Sequence, residues 1–148
     1  AGDAFNNSTT APVIMTFTGA ARTAGAGGTI RSASLIHGAA QATKLLADLW
    51  LFDTTVVMDN DNAVFTPTDA EAETLVAVIP FLTASDWSVG DATAGIGGNA
   101  VYARGNLHMD YICALTSTSL FGILIVRGAG YTPVASEPMK VRILVELD

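Results

Sequence analysis

The sequence contains few charged residues and very few basic ones. Only 14% of its 148 residues are charged, against about 25% in an average soluble domain. Seven Lys and Arg residues stand against fourteen Asp and Glu residues, which gives a net charge of −7. Because nucleic acids and anionic membranes are bound mainly through basic surfaces, this balance excludes both as principal partners.

The chain also has little cysteine and no long apolar run. Its one cysteine, Cys113, excludes a disulfide within the chain, and its place in an alternating run indicates a buried, inert thiol. No apolar run approaches the ~18–20 residues that span a bilayer. The first residues lack a basic-plus-apolar signal pattern, so we expect the protein to fold in a host cytoplasm.

The N-terminal segment differs in composition from the rest of the chain. Residues 1–12 are small, polar and irregular, which predicts a flexible N-terminal arm. The remaining residues, 13–148, have the length of a single domain. Since 50% of the chain is hydrophobic, this domain can bury a substantial core.

Alternation of apolar and polar residues is the main structural signal. It is cleanest in KVRILVELD at 140–148, where apolar and charged or polar positions exchange at almost every residue. LFGILIVRG at 120–128 is apolar on both faces and predicts a central strand, whereas Pro80 means that VAVIPFL is an edge strand or is broken there. About eight strands, with turn signals every ~8–15 residues, predict an all-β antiparallel β-sandwich of jelly-roll type.

Two local signals interrupt the strands. Thr68 and Glu71 form a capping box behind Pro67, which predicts one short helix near residues 67–75. Gly105-Asn106 predicts a hairpin turn between the strands AVYAR and LHMDYICALT.

The sequence offers weak candidates for metal binding and none for a cofactor. Asp59 and Asp61 could donate oxygen to calcium, but an EF-hand counted from Asp59 needs Gly and Glu where Val64 and Ala70 stand. Asp and Asn are equally typical of turns, because their side chains bond to their own backbone. His37 and His108 lie on separate strands without nearby cysteines, as ordinary strand residues do.

No motif of nucleophilic or nucleotide chemistry occurs in the chain. It lacks G-x-S-x-G, and its GAGG and GIGG stretches lack the spacing of G-x-G-x-x-G. We therefore expect a protein that is not an enzyme.

Four aromatic residues are candidates for contact with a partner. Trp50 and Phe52 lie on the strand face opposite Leu49 and Leu51, and that face is either an outer contact surface or buried beneath the helix. Phe5 could anchor the N-terminal arm on a neighbouring subunit. Trp87 lies in the longest predicted loop, residues 83–99, and loops of this length usually bind something or are ordered by a neighbour.

Three stretches carry a resemblance to a known family. They are GTIR at 28–31, LWLFD at 49–53 and DNAVFTPTD at 61–69. With the residues between them, over roughly 27–82, the chain resembles small head decoration, or cement, proteins of tailed bacteriophages, encoded beside the major capsid protein.

This resemblance implies a jelly-roll sandwich without catalytic chemistry. It implies a homo-oligomer, a trimer or a dimer, that binds the major capsid protein on the exterior of the virion and stabilises the shell. The alternative from another class is a carbohydrate-binding or adhesin module. Such a module would use Trp87 and its loop, with calcium at Asp59 and Asp61.

Overall fold

Two antiparallel sheets pack face to face in a computed structural model of the chain. The structure describes residues 2–5, 10–38, 43–61, 63–89, 100–128, 131 and 139–148. The strands in these ranges are β1 (Ala4–Phe5), β2 (Met15–Phe17), β3 (Gly27–His37), β4 (Ala47–Phe52), β5 (Leu75–Phe81), β6 (Trp87–Val89), β7 (Ala100–Arg104), β8 (Met109–Ile112), β9 (Leu120–Val126) and β10 (Met139–Leu147).

Each sheet contains five strands. Sheet I has the order β1-β9-β4-β5, with β2 also paired to β9, and sheet II has the order β10-β3-β7-β6, with β8 also paired to β3. The long strands β3, β4, β5, β7, β9 and β10 alternate between the two sheets along the chain, except that β4 and β5 are neighbours in sheet I. The predicted all-β antiparallel sandwich is therefore confirmed, with ten strands instead of about eight.

Two predictions about individual strands are confirmed, and one is wrong. β9 is central and β5, which contains Pro80, lies at the end of sheet I, as predicted. The predicted hairpin at Gly105-Asn106 is wrong. β7 and β8 run end to end along the same side of β3, where Ala33 faces Arg104 and Ile30 faces Met109. Gly105-Asn106 thus lies in a break within one interrupted strand instead of in a reversal, because both halves satisfy their backbone hydrogen bonds on β3.

The main core lies between the two sheets. Alternate residues of the long strands face it, as period-2 alternation requires. Leu49 and Leu51 of β4 are completely buried there, as are Leu35 of β3 and Leu120 of β9. The thiol of Cys113 is also buried in this core, and burial raises its pKa, with the carboxylate of Asp53 acting in the same direction.

A second, smaller core lies on the other face of sheet I. It contains Ala4, Phe52, Val56, Phe65, Ile123 and Ile125 as buried residues. Residues 53–61 and 63–67, which we call the outer loop, cover this face of the sheet. The rings of Trp50, Phe52 and Phe65 meet there with centroid separations of 6.0–6.4 Å. The alternative of a buried face is therefore the one observed, although the outer loop and not the helix supplies the cover.

Residues 2–5 of the predicted N-terminal arm belong to the fold. β1 pairs with β9, and Ala4, opposite Ile125, is 1% exposed. The Ala4 N–H donates to Ala63 O at 2.8 Å, and the Phe65 N–H donates to Gly2 O at 3.1 Å. Pairing of this segment satisfies backbone groups at the end of β9 that would otherwise form an open sheet edge. Residues 1 and 6–9 of the predicted arm lie outside the described residues.

The predicted helix is present and very short. α1 spans Asp69–Ala72, and its N-cap Thr68 and Glu71 form the complete capping box. No helix within the described ranges has the length and apolarity that crossing a membrane requires.

Candidate interaction surface

The outer loop is held in one conformation by hydrogen bonds from several parts of the chain. One carboxylate oxygen of Glu71 accepts the Val57 N–H at 2.6 Å, while the other accepts the N–H and the hydroxyl of Thr68. These bonds, led by the one from Val57, lower the pKa of Glu71. Glu71, which completes the capping box of α1, therefore also fixes the outer loop. No sequence pattern signals this contact.

Asp59 and Asp61 lie in this loop. The Asp59 carboxylate accepts the N–H of Thr66 at 2.9 Å, which is the turn-forming role that Asp often has. No group of three His, Cys, Asp or Glu side chains in the described part of the chain is arranged to hold a metal ion.

The outer loop presents apolar side chains to solvent above this ordered base. Val57 is 79% exposed and Val64 is 58% exposed. Beneath them, Val56 and Phe65 belong to the second core. A loop with buried anchors and exposed valines is a preformed apolar contact surface, since little ordering entropy is lost when a partner covers it.

The four predicted interface aromatics lie inside this fold to different degrees. Phe52 is completely buried, and Trp50 is half-buried, with its indole N–H enclosed and without a hydrogen-bond partner among the described residues. Phe5 is half-buried on β1, where its ring meets that of Tyr131 edge to face.

Trp87 is 6% exposed and opens β6 instead of standing in a loop. Its indole N–H donates to Leu45 O at 3.2 Å, and its ring contacts His37 and Tyr102 edge to face. Residues 90–99 of the predicted long loop lie outside the described residues. In this structure the four aromatics make contacts within the chain, and their predicted contact with a partner stays a prediction.

An acidic cleft of about 740 Å³ lies beside β8. Its lining residues are Gly28, Thr29, Asp53, Val76, Asp110, Tyr111, Ile112 and Asp148. The Thr29 hydroxyl donates to Asp110 at 2.7 Å, while one carboxylate oxygen of Asp53 is buried without a hydrogen-bond partner. None of the described residues that line the cleft is basic, so its potential is negative.

Tyr111 closes the floor of the cleft. It is 4% exposed, and its hydroxyl donates to the carbonyl oxygen of Ala20. Burial raises the pKa of Tyr111 to about 12, and the negative charges that Cys113 and Asp148 can carry act in the same direction. The folded state therefore binds the phenolic proton more tightly than the unfolded state does.

We expect this proton to make stability depend on pH in the alkaline range. The contribution of protonated Tyr111 to the free energy of unfolding is complete below its unfolded pKa near 10 and is lost as pH rises to about 12. This loss amounts to about 2–3 kcal/mol. Tyr111→Phe should remove this part of the alkaline loss. Urea unfolding of both proteins from about pH 9 to about pH 11.5 measures it, and equal pH slopes would contradict the assignment.

Comparison with known proteins gives this chain no relative. No family model, curated protein or solved structure matches it. The fold and its surfaces define an all-β sandwich with a covered outer face on sheet I.

Proposed function

We propose that this protein is a structural component of a bacteriophage virion, which binds the outer surface of the capsid as a homo-oligomer and stabilises the shell. The observation that carries the proposal is that the outer loop, an ordered surface with exposed valines, falls within the stretch that resembles phage decoration proteins. That stretch, residues 27–82, covers β3, β4, the outer loop, α1 and β5.

The physical character of the outer loop supports a role in adhesion to another protein. Val57 and Val64 together expose an apolar surface on a loop whose backbone is fixed by Glu71 and Gly2. Contact on a shell would bury these side chains at about 25 cal/mol per Å². Because a shell offers many equivalent sites to an oligomer, weak contacts act together.

Particle composition is the direct test of the proposal. Quantitative mass spectrometry of purified virions from the source should find this chain in simple ratio to the major shell protein. A few copies per particle would contradict capsid decoration in favour of the neck or tail. Absence from every particle would contradict a virion role altogether.

Replacement of the two exposed valines should weaken shell binding. Val57→Asp combined with Val64→Asp is expected to lower affinity for particles stripped of this protein by about a hundredfold, because two apolar contacts are lost. The matched control is Ile112→Asp with Leu115→Asp, which also adds two charges at exposed apolar positions, 66% and 87% exposed. Co-sedimentation with particles measures both, and an equal loss in the control would contradict the assignment of this surface.

The carbohydrate-binding alternative gains no specific support from the arrangement of its residues. Trp87, its proposed sugar platform, packs inside the sandwich, and Asp59 accepts a hydrogen bond from its own loop. We therefore propose only the virion function.

A further inference from the structure

The edges of the two sheets differ in how far they are protected against pairing with another chain. Long, unprotected edge strands are templates for pairing, and proteins usually shorten them or place Pro, bulges or inward charges on them. β5 carries Pro80, and β1, β2 and β6 have only two or three residues each. β10 has nine residues and no proline, and it ends sheet II, with β3 on one side.

The backbone of β10 is also regular. Its register with β3 shifts between Leu144 and Val145, but the residue without a partner at this shift is Arg31, so the irregularity lies on β3. Along β10 itself, half-buried and exposed residues alternate without interruption. All of its charged side chains therefore point away from the core. Among the residues that the structure describes, no proline, no bulge of β10 itself and no inward-pointing charge protects this edge.

The outward residues of β10 form a pattern that is complementary to itself. In chain order they are Lys140, Arg142, Leu144 and Glu146, and Asp148 follows directly after the strand, so that two positive charges precede the leucine and two negative charges follow it. Leu144 is 61% exposed. An antiparallel copy of the same strand presents the opposite order of charges.

We infer that β10 pairs with β10 of a second copy of this chain, antiparallel and about a two-fold axis at Leu144. Lys140 then faces Asp148, Arg142 faces Glu146, and Leu144 faces its own counterpart. Cross-strand neighbours of opposite charge stabilise an antiparallel pair, and like charges destabilise it. The two sheets II become one continuous sheet, and the interface is isologous, as a two-fold dimer requires.

Neighbouring registers do not fit in this way. A two-fold axis at Ile143 places Arg142 opposite Leu144, and an axis at Val145 places Leu144 opposite Glu146. Axes at Arg142 or Glu146 bring like charges together. The register centred on Leu144 is the one that gives each of the four charged side chains a partner of opposite sign.

The charged groups of β10 are available for this pairing. Lys140 and Arg142 have no ion-pair partner among the residues that the structure describes. Nε and Nη2 of Arg31 both donate to Oε2 of Glu146, which leaves Oε1 for Arg142 of the second copy. On the inner face, Val141, Ile143 and Val145 pack against the main core and remain half-buried. A neighbouring strand would cover their outer flank.

This inference specifies the self-association within the proposed function, but it does not depend on shell binding. A matched pair of variants tests it. Lys140→Glu with Arg142→Glu makes all four outward charges negative, and Glu146→Lys with Asp148→Lys makes all four positive. Each variant should self-associate at least about tenfold more weakly than the wild type, because like charges face each other.

An equimolar mixture of the two variants restores opposite charges at every position and should dimerise again. Sedimentation equilibrium of the full chain over a broad concentration range measures all four samples, and circular dichroism shows that both variants are folded. A wild-type protein that stays monomeric or forms a trimer would overturn the inference. Two variants that both remain as dimeric as the wild type would overturn it as well. A dimer that behaves as expected but binds no shell would contradict only the proposed function.

A cross-link provides an independent measurement. Cα atoms of directly opposed residues lie about 4.5–5.5 Å apart, within the range of a disulfide. Leu144→Cys should therefore form a disulfide-linked dimer on mild oxidation. Leu115→Cys, at a position that is 87% exposed, should not. Equal cross-linking of the two variants would contradict the register.

Discussion

Phe52→Ala is expected to lower the free energy of unfolding of the isolated chain by about 3–5 kcal/mol. Phe52 is completely buried in the second core, where its ring meets those of Trp50 and Phe65. Its loss leaves a cavity beneath the outer loop, which is anchored on both sides and cannot collapse easily. Urea unfolding monitored by fluorescence of the two tryptophans measures the change.

This experiment separates a core residue from an interface residue. If Phe52 served mainly as a contact with another chain, its removal would weaken association and leave the isolated chain almost as stable as before. Val57→Ala, in the same loop but 79% exposed, is the matched control and should change stability by no more than about 0.5 kcal/mol. Equal effects of the two substitutions would contradict the existence of the second core.

Gly27→Ala is expected to destabilise the protein by about 3 kcal/mol or more. A Cβ atom on Gly27 would lie 2.1 Å from the carbonyl oxygen of Tyr111 and 3.4 Å from the Cα of Ile112. Both atoms belong to the backbone of β8, so no side-chain rotation relieves the clash. The ladder between β3 and β8 would have to separate, which also disturbs the neighbouring acidic cleft.

The matched control for Gly27 is Gly105, in the break between β7 and β8. A Cβ atom there meets no atom within 4 Å, so Gly105→Ala should change stability by no more than about 0.5 kcal/mol. In thermal unfolding, Gly27→Ala should lower Tm by about 6–12 °C. A similar Tm for both variants would show that β3 and β8 do not approach as closely as described.

The fold class could be predicted because its evidence is local. Alternation in β10 and the two-sided apolar pattern of β9 depend on neighbours in the sequence, and Pro80 excludes a central position for β5 by its missing N–H. The capping box of Thr68 and Glu71 lies within a single turn. Each of these predictions needed only the covalent geometry of a short segment.

The surfaces could be predicted only in part. Trp50 and Phe52 were recognised as a second apolar face of β4, but the sequence left open whether a partner or the chain itself covers it. The covering residues, Val56 and Phe65, lie in an irregular loop whose course has no periodicity. The predicted hairpin at Gly105-Asn106 failed for a similar reason, since turn residues fit a break in a strand as well as a reversal.

The sequence by itself determined an all-β sandwich, the outward charges of β10 and a low content of basic residues, because these follow from local periodicity and composition. Tertiary structure alone decided that residues 2–5 pair with β9, that Glu71 holds Val57, and that Trp87 binds Leu45 across 42 residues of sequence. Such contacts join residues that are distant in the chain. Their formation depends on the closure of loops and the packing of two sheets, which no short stretch of sequence encodes.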